Sequence, residues 1–239
     1  MVRSLSMGAR AARVRGNLSA IARFDNALYA KDGAGRIVCM VPPGGDDGPI
    51  HARLAGDFPP DGTTFELLPA PVWTPPVPAA CRAETLAAGI ARARARRPEA
   101  VANPARAAYV EGLAALARWR RGRAPIDGCG ALIGLGAGLT PSGDDALGGA
   151  AIALHVFGEA AAAAELAAFL RARAPGRTSD IALAFLDAAC DGQGTAGFHE
   201  ALAALIDGGD FGPLDAMGHS SGWDAMDGAL AVLDVSASR

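Results

Sequence analysis

The sequence predicts an α+β protein with segregated layers. A small β-rich domain over residues 1–69 leads through a proline-rich linker over 70–80 into a larger helical domain over 81–239, which carries a glycine-rich loop. Three observations predict this. Up to Pro69 the chain is made of short, partly alternating apolar runs separated by Gly, Pro and Asp, the pattern of strands and tight turns. Pro69-Ala-Pro-Val-Trp-Thr-Pro-Pro-Val-Pro78 removes too many backbone donors to continue a ladder or a helix. Beyond it the apolar period becomes helical, and strands followed by helices argue against a doubly wound sheet.

In the first part, Ala20–Phe24 and Ala27–Lys31 read as strands. Asp32-Gly-Ala-Gly35 is a hairpin signal, and Arg36–Val41 is the returning strand. Pro49–Leu54 and Thr63–Leu68 add two more, with His51 read as a surface or hydrogen-bonded residue. In the second part, helices are expected over Ala83–Arg97, Pro104–Arg123, Asp144–Phe157, Glu159–Ala174, Ser179–Cys190, Thr195–Ile206 and Ser220–Leu233. The arginine clusters at 92–97 and 118–123 lie near helix C-termini, where they suit the dipole, and are read as solvated faces rather than polyanion sites.

Composition narrows the function classes. A formal net charge of −3 gives no drive toward nucleic acid. The four cysteines, Cys39, Cys81, Cys129 and Cys190, form no CxxC pair, which disfavours a zinc ribbon or a secreted disulfide framework and favours a reducing compartment. Met1–Arg15 has no continuous apolar core and no apolar run reaches spanning length, so a cytoplasmic protein without a membrane segment is expected.

The chemistry concentrates in two stretches. The first is Leu132-Ile-Gly-Leu-Gly-Ala-Gly-Leu-Thr-Pro-Ser-Gly-Asp-Asp145. Its glycines Gly134, Gly136 and Gly138 permit close backbone approach. The turn Thr140–Gly143, with Ser142, runs into a helix start that favours an anion or an acid. It is not a Rossmann fingerprint, because Leu139 stands where the third small residue belongs. Gly138 and Gly143 have P-loop spacing, but Asp144 and Asp145 replace the lysine and hydroxyl that hold phosphate. Two acids there can cap the helix, bind a divalent cation that in turn holds an anion, or orient an amide-bearing substrate.

The second stretch is Gly218-His-Ser-Ser-Gly-Trp-Asp224. Ser221-x-x-Asp224 has capping-box form, while His219 adds acid–base capacity that a cap does not need. The candidate catalytic residues are therefore Asp144, Asp145 and His219. The candidate substrate- or phosphate-binding residues are Gly136, Gly138, Thr140, Ser142, Gly143, Ser220 and Ser221, and the two stretches are expected to line one cleft. Gly176-Arg-Thr-Ser-Asp180 is a further polar helix start, where Arg177 could clamp a carboxylate but ordinary capping is the preferred reading. His155 and His199 are read as core or rim.

These two stretches together resemble the AllH family. The resemblance covers most of the chain after the linker. It implies a subunit of oxamate carbamoyltransferase, interconverting oxalurate plus phosphate with oxamate plus carbamoyl phosphate in allantoin and purine degradation. It also implies AllF-like and AllG-like partner subunits and a small-molecule carbamoyl substrate, and a chain that is inactive alone. The usual serine-threonine-arginine signature of the well-known carbamoyltransferases is absent, so such an activity would use an unrelated fold. The competing readings are a non-catalytic ligand-binding or scaffolding subunit and a metal-assisted amide hydrolase using Asp144, Asp145 and His219.

Overall fold

The computed structural model describes residues 1–76, 83–98 and 105–234. The chain divides into two compact units, Met1–Pro76 with Gln193–Ala196, and Val77–Gly192 with Gly197–Arg239. The architecture is α+β, with a seven-stranded sheet in the first unit and helices in the second.

The strands are β1 (Ser4–Gly8), β2 (Leu18–Arg23), β3 (Leu28–Lys31), β4 (Ile37–Val41), β5 (His51–Leu54), β6 (Thr64–Phe65) and β7 (Val72–Trp73), in the order β6-β2-β3-β4-β5-β1-β7. Pairs β4–β5 and β1–β7 are parallel and the rest antiparallel. Central β4 is buried along its whole length, as an unbroken Ile-Val-Cys-Met-Val run requires of a strand covered on both faces. The turn before it is built on Asp32. Its buried carboxylate accepts the N–H groups of Arg15, Ala34 and Arg36 and the Arg36 Nε–H at 2.7 Å.

Two strands were not expected. In β1 the alternation is inverted: Leu5 faces out at 43% exposure while Ser4 and Ser6 are buried. The Ser6 hydroxyl is satisfied by Asp47 and Arg53, so hydropathy alone points the wrong face inward. β7 lies inside the segment expected to be a linker. Val72–Trp73 pairs with Met7 and Gly8, and the Pro71 carbonyl accepts the Met7 N–H. Prolines fit there because β7 is an edge strand. Residues 77–80 of that segment, and Cys81 and Pro104, lie outside the described residues. Of the two options for His51, surface or hydrogen-bonded, the surface one fails: it is buried in β5, and its burial depresses its pKa.

The helical unit contains α1 (Ala83–Arg96), α2 (Arg106–Arg120), a 3-10 segment (Ile126–Leu132), α3 (Ser142–Val156), α4 (Ala160–Arg173), α5 (Asp180–Ala189), α6 (Ala196–Asp207), a one-turn α7 (Gly212–Asp215) and α8 (Ser221–Leu233). Helix α3 is the hub, with every residue from Ala146 to Leu154 buried; a helix made of Ala, Gly, Leu and Ile all round belongs in the middle of a bundle. It crosses α8 in backbone contact. A β-carbon on Gly149 would stand 1.9 Å from the Ala225 carbonyl oxygen, and one on Gly228 would stand 1.8 Å from that of Ala146. The arginines expected to face solvent instead tie helices together: Arg96 pairs with Asp215, Arg97 with Asp224 and Asp227, and Arg120 with Glu159. Among the described residues no helix is long and apolar enough to cross a membrane.

Candidate functional site

The stretch between the 3-10 segment and α3 is a chain of bends. Gly134, Gly136 and Gly138 adopt φ of +72°, +124° and +89°, values that L side chains rarely tolerate. Gly136 folds over the helix start so closely that a β-carbon would lie 2.8 Å from the Ser142 nitrogen; glycine leaves that N–H uncovered. The following N–H groups are already used internally. Gly143 donates to the Leu135 carbonyl, and Asp144 and Asp145 both donate to that of Pro141. Among the described residues, the N–H groups from Gly136 to Thr140 and that of Ser142 have no acceptor. Gly136, Ala137 and Gly138 are exposed, and Thr140 and Ser142 half-buried. The open donors of the α3 N-terminus thus lie on the loop and at Ser142, not at Gly143 or the aspartates.

The two adjacent acids differ in environment. Asp144 is 3% exposed and both its oxygens are engaged. Oδ1 accepts the Gly134 N–H at 3.0 Å, and Oδ2 accepts the Thr178 hydroxyl. It therefore ties the glycine loop to the turn between α4 and α5. That turn holds the loop at two more points: the Ser179 hydroxyl donates to the Leu139 carbonyl at 2.6 Å, and Arg177 donates to the Gly130 carbonyl at 2.8 Å. Burial raises the Asp144 pKa, opposed by the Thr178 and Gly134 bonds and by Arg177.

Asp145 points toward α8. The nearby Ser221 hydroxyl favours its charged form, and the Ser221 oxygen lies 3.2 Å from Thr140 Oγ1. Its Oδ2 is buried with no hydrogen-bond partner. Burial pushes its pKa well up and the neighbouring Asp224 and Asp144 push it further, against the Ser221 hydroxyl. The two motifs thus meet through Thr140 and Ser221. His219 and Ser220 are exposed on the turn into α8, and His219 makes no hydrogen bond or ion pair among the described residues.

The expected capping box is not formed. The N-cap of α8 is Ser220, with no side-chain cap bond. Ser221 is the first helical residue and turns its hydroxyl to α3, while Asp224 Oδ1 is taken by Arg97 at 3.1 Å. Nor do Asp144 and Asp145 cap α3, whose N-cap, Pro141, has no side-chain bond. Ser179 does cap α5, through the Ala182 N–H.

Residues 132–233 match the model of the family described as oxamate carbamoyltransferase subunit AllH. No curated protein and no solved structure matches the chain. The AllH segment runs from Leu132, at the end of the 3-10 segment, to Leu233, at the end of α8, so it holds both motifs and the α4–α5 turn. It leaves out two residues that complete the buried acid network. Arg97 bridges Asp224 and Asp227, and Tyr109 donates to Asp227 at 3.2 Å. Thr178 and Ser179 are the site residues that the sequence reading treated as capping alone. Arg97 stood out only as the end of an arginine cluster read as a solvated face, and Tyr109 gave no local signal, since a tyrosine inside a helix is ordinary. Among the described residues no group of three or more His, Cys, Asp or Glu side chains is arranged to hold a metal ion.

Proposed function

We propose that the chain is a subunit of an oxamate carbamoyltransferase complex. It acts with AllF-like and AllG-like subunits in the cytoplasm on the carbamoyl group exchanged between oxalurate and phosphate, in allantoin and purine degradation. The observation that carries this reading is the coincidence of the AllH-matching segment with an array of unused N–H donors at the N-terminus of α3. In the reaction a phosphate oxygen attacks the terminal carbamoyl carbon, and the bond from that carbon to the oxamate nitrogen breaks. The attacking phosphate loses a proton and the departing nitrogen gains one. Such a transfer needs donors for phosphate and for the oxygen of the tetrahedral intermediate. Gly136, Gly138, Thr140 and Ser142 supply them from the backbone, and the helix dipole favours the anion.

Asp144 serves this site by holding the loop. Asp145 is the acid on its inner side, with Ser221 and Thr140 between it and the loop, while Gly143, Ser220 and His219 shape the two helix starts. His219 is the acid–base group on the solvent side. The test is carbamoyl phosphate formation from oxalurate and phosphate, with and without the partner subunits. Turnover is expected only in the reconstituted complex and is expected to fall sharply with Gly136→Ala, which covers the Ser142 N–H. Robust turnover by this chain alone would replace the subunit reading with a stand-alone enzyme. No turnover in any combination would leave a binding or scaffolding role.

A further inference from the structure

The α4–α5 turn reaches the glycine loop with two neighbouring hydroxyls, and the second does more than tether it. Ser179 Oγ accepts the Ala182 N–H at 3.0 Å as the N-cap of α5, and it donates to the Leu139 carbonyl at 2.6 Å. One hydroxyl thus acts as acceptor to the helix and as donor to the loop, which sets the direction of its proton. A trans peptide is planar, with its N–H opposed to its carbonyl, and no peptide bond among the described residues is cis. The peptide that carries the Leu139 carbonyl also carries the Thr140 N–H. Holding that carbonyl against the start of α5 therefore turns the Thr140 N–H away from the α4–α5 turn. That N–H is one of the loop donors without an acceptor among the described residues.

We infer that Ser179 is a positioning residue, which aims the Thr140 N–H at the phosphate bound by the loop. The role rests on the carbamoyl-transfer reading above. Thr140 is held on a second side as well, since its Oγ1 lies 3.2 Å from the Ser221 hydroxyl. Ser179 at the start of α5 fixes its backbone, and Ser221 at the start of α8 engages its side chain. The Gly136 donor is set in another way. The Leu135 carbonyl accepts the Gly143 N–H at 2.8 Å, which fixes the Gly136 N–H by the same planarity with no side chain involved. Gly136 is therefore an internal reference, because a change at Ser179 leaves that bond in place.

Without the Ser179 bond the Leu139–Thr140 peptide swings but does not invert. A full flip would carry Thr140 to positive φ, which no non-glycine residue adopts among the described residues and which a β-branched side chain resists. The expected effect is a loosened donor, smaller than the roughly 100-fold cost of deleting a donor outright. Substitutions separate the two uses of the hydroxyl. Aspartate accepts the Ala182 N–H and keeps the cap, but an ionised carboxylate has no proton to donate to Leu139. Glycine is tolerated at the cap and brings no side chain at all. Threonine keeps both bonds.

The experiment is nitrogen-15 NMR relaxation on the full chain without ligand. The Thr140 amide is expected to be as ordered as the helices, with an order parameter of about 0.85, and to fall below about 0.6 in Ser179→Asp and Ser179→Gly. Ser179→Thr keeps it ordered, and the Gly136 amide is the same in every variant. A Thr140 amide that is mobile in the wild type overturns the proposal whether or not any variant folds, and so does one that Ser179→Asp leaves unchanged. In the reconstituted complex, Ser179→Asp is expected to raise the KM for inorganic phosphate about 10-fold with kcat little changed. A mere loss of folded enzyme would instead lower kcat and leave KM alone. Ser179→Thr keeps the wild-type KM, and an unchanged KM in Ser179→Asp overturns the aim at phosphate. Absence of turnover in the wild-type complex removes the carbamoyl reading and the aim at phosphate with it, while the relaxation data still decide whether Ser179 holds the donor.

Discussion

Gly148 and Gly149 stand side by side in α3, yet the same substitution should push them in opposite directions. At Gly149 a β-carbon would lie 1.9 Å from the Ala225 carbonyl oxygen, and ordinary van der Waals contact begins at 3.4 Å. Helix α8 would have to retreat by about 1.5 Å to accept it, as ordinary contact distances require. The obstacle is backbone, so no rotamer change relieves it. Overpacking of this kind costs about 1–3 kcal/mol, and the better helix propensity of alanine recovers about 0.5–1 kcal/mol. At Gly148 the nearest atoms are the Ala189 β-carbon at 3.6 Å and Leu186 Cδ2 at 3.8 Å. Alanine fits that space, so only the propensity gain remains. Gly149→Ala is therefore expected to destabilise by about 1–2 kcal/mol, and Gly148→Ala to stabilise by about 0.5–1 kcal/mol. In a domain of this size each kcal/mol moves Tm by about 2–4 °C. Circular-dichroism melts of both variants measure this. Equal shifts of one sign would refute the close crossing of α3 and α8.

Three further outcomes follow from the buried acids. Asp144→Asn keeps one acceptor oxygen for two donors, Gly134 N–H and Thr178 Oγ–H, so urea melts should show a loss of about 1–3 kcal/mol; a change within error would deny its role as a tie. For Asp145, a folded pKa raised above the unfolded 3.8 stabilises at acid pH, and that contribution is lost as pH rises through the folded value. Asp145→Asn should accordingly match or exceed the wild type in neutral buffer and lose that advantage toward pH 3; greater instability at neutral pH than at pH 3 would reverse the sign argued here. Asp32 has the opposite linkage. Burial opposes its charge, but the bonds from Arg36, Arg15 and Ala34 prevail and bring its pKa down to about 2. Its contribution is present above the unfolded 3.8 and is lost as pH falls toward 2, so Asp32→Asn should flatten the acid limb of the stability profile in urea melts.

The helices were legible because their apolar period and their Pro and Gly boundaries are local signals; α3, α4, α5, α6 and α8 begin and end within two residues of where the sequence puts them. β1 was not, because Ser4 and Ser6 take the buried face, and Ser6 finds its partners, Asp47 and Arg53, far along the chain. β7 was not, because an edge strand accepts the prolines that made the segment look like a linker. The approach of the two motifs follows from Gly149 and Gly228, whose small size is visible in sequence but whose mutual contact is not. Ser221-x-x-Asp224 misled for a related reason. Its local pattern is a cap, but its side chains are claimed by Thr140 and Arg97, which no spacing rule connects to it.

The backbone crossing of α3 and α8 also governs when the site comes into being during synthesis. Asp145 and Thr140 leave the ribosome some eighty residues before Ser221, according to their positions in the chain. Until α8 follows, α3 is an Ala- and Gly-rich helix with one flank uncovered, short on propensity and dependent on a neighbour that does not yet exist. The loop therefore takes its working shape among the last events of folding, and a truncation before Gly228 should leave a soluble sheet unit attached to an unformed helical one.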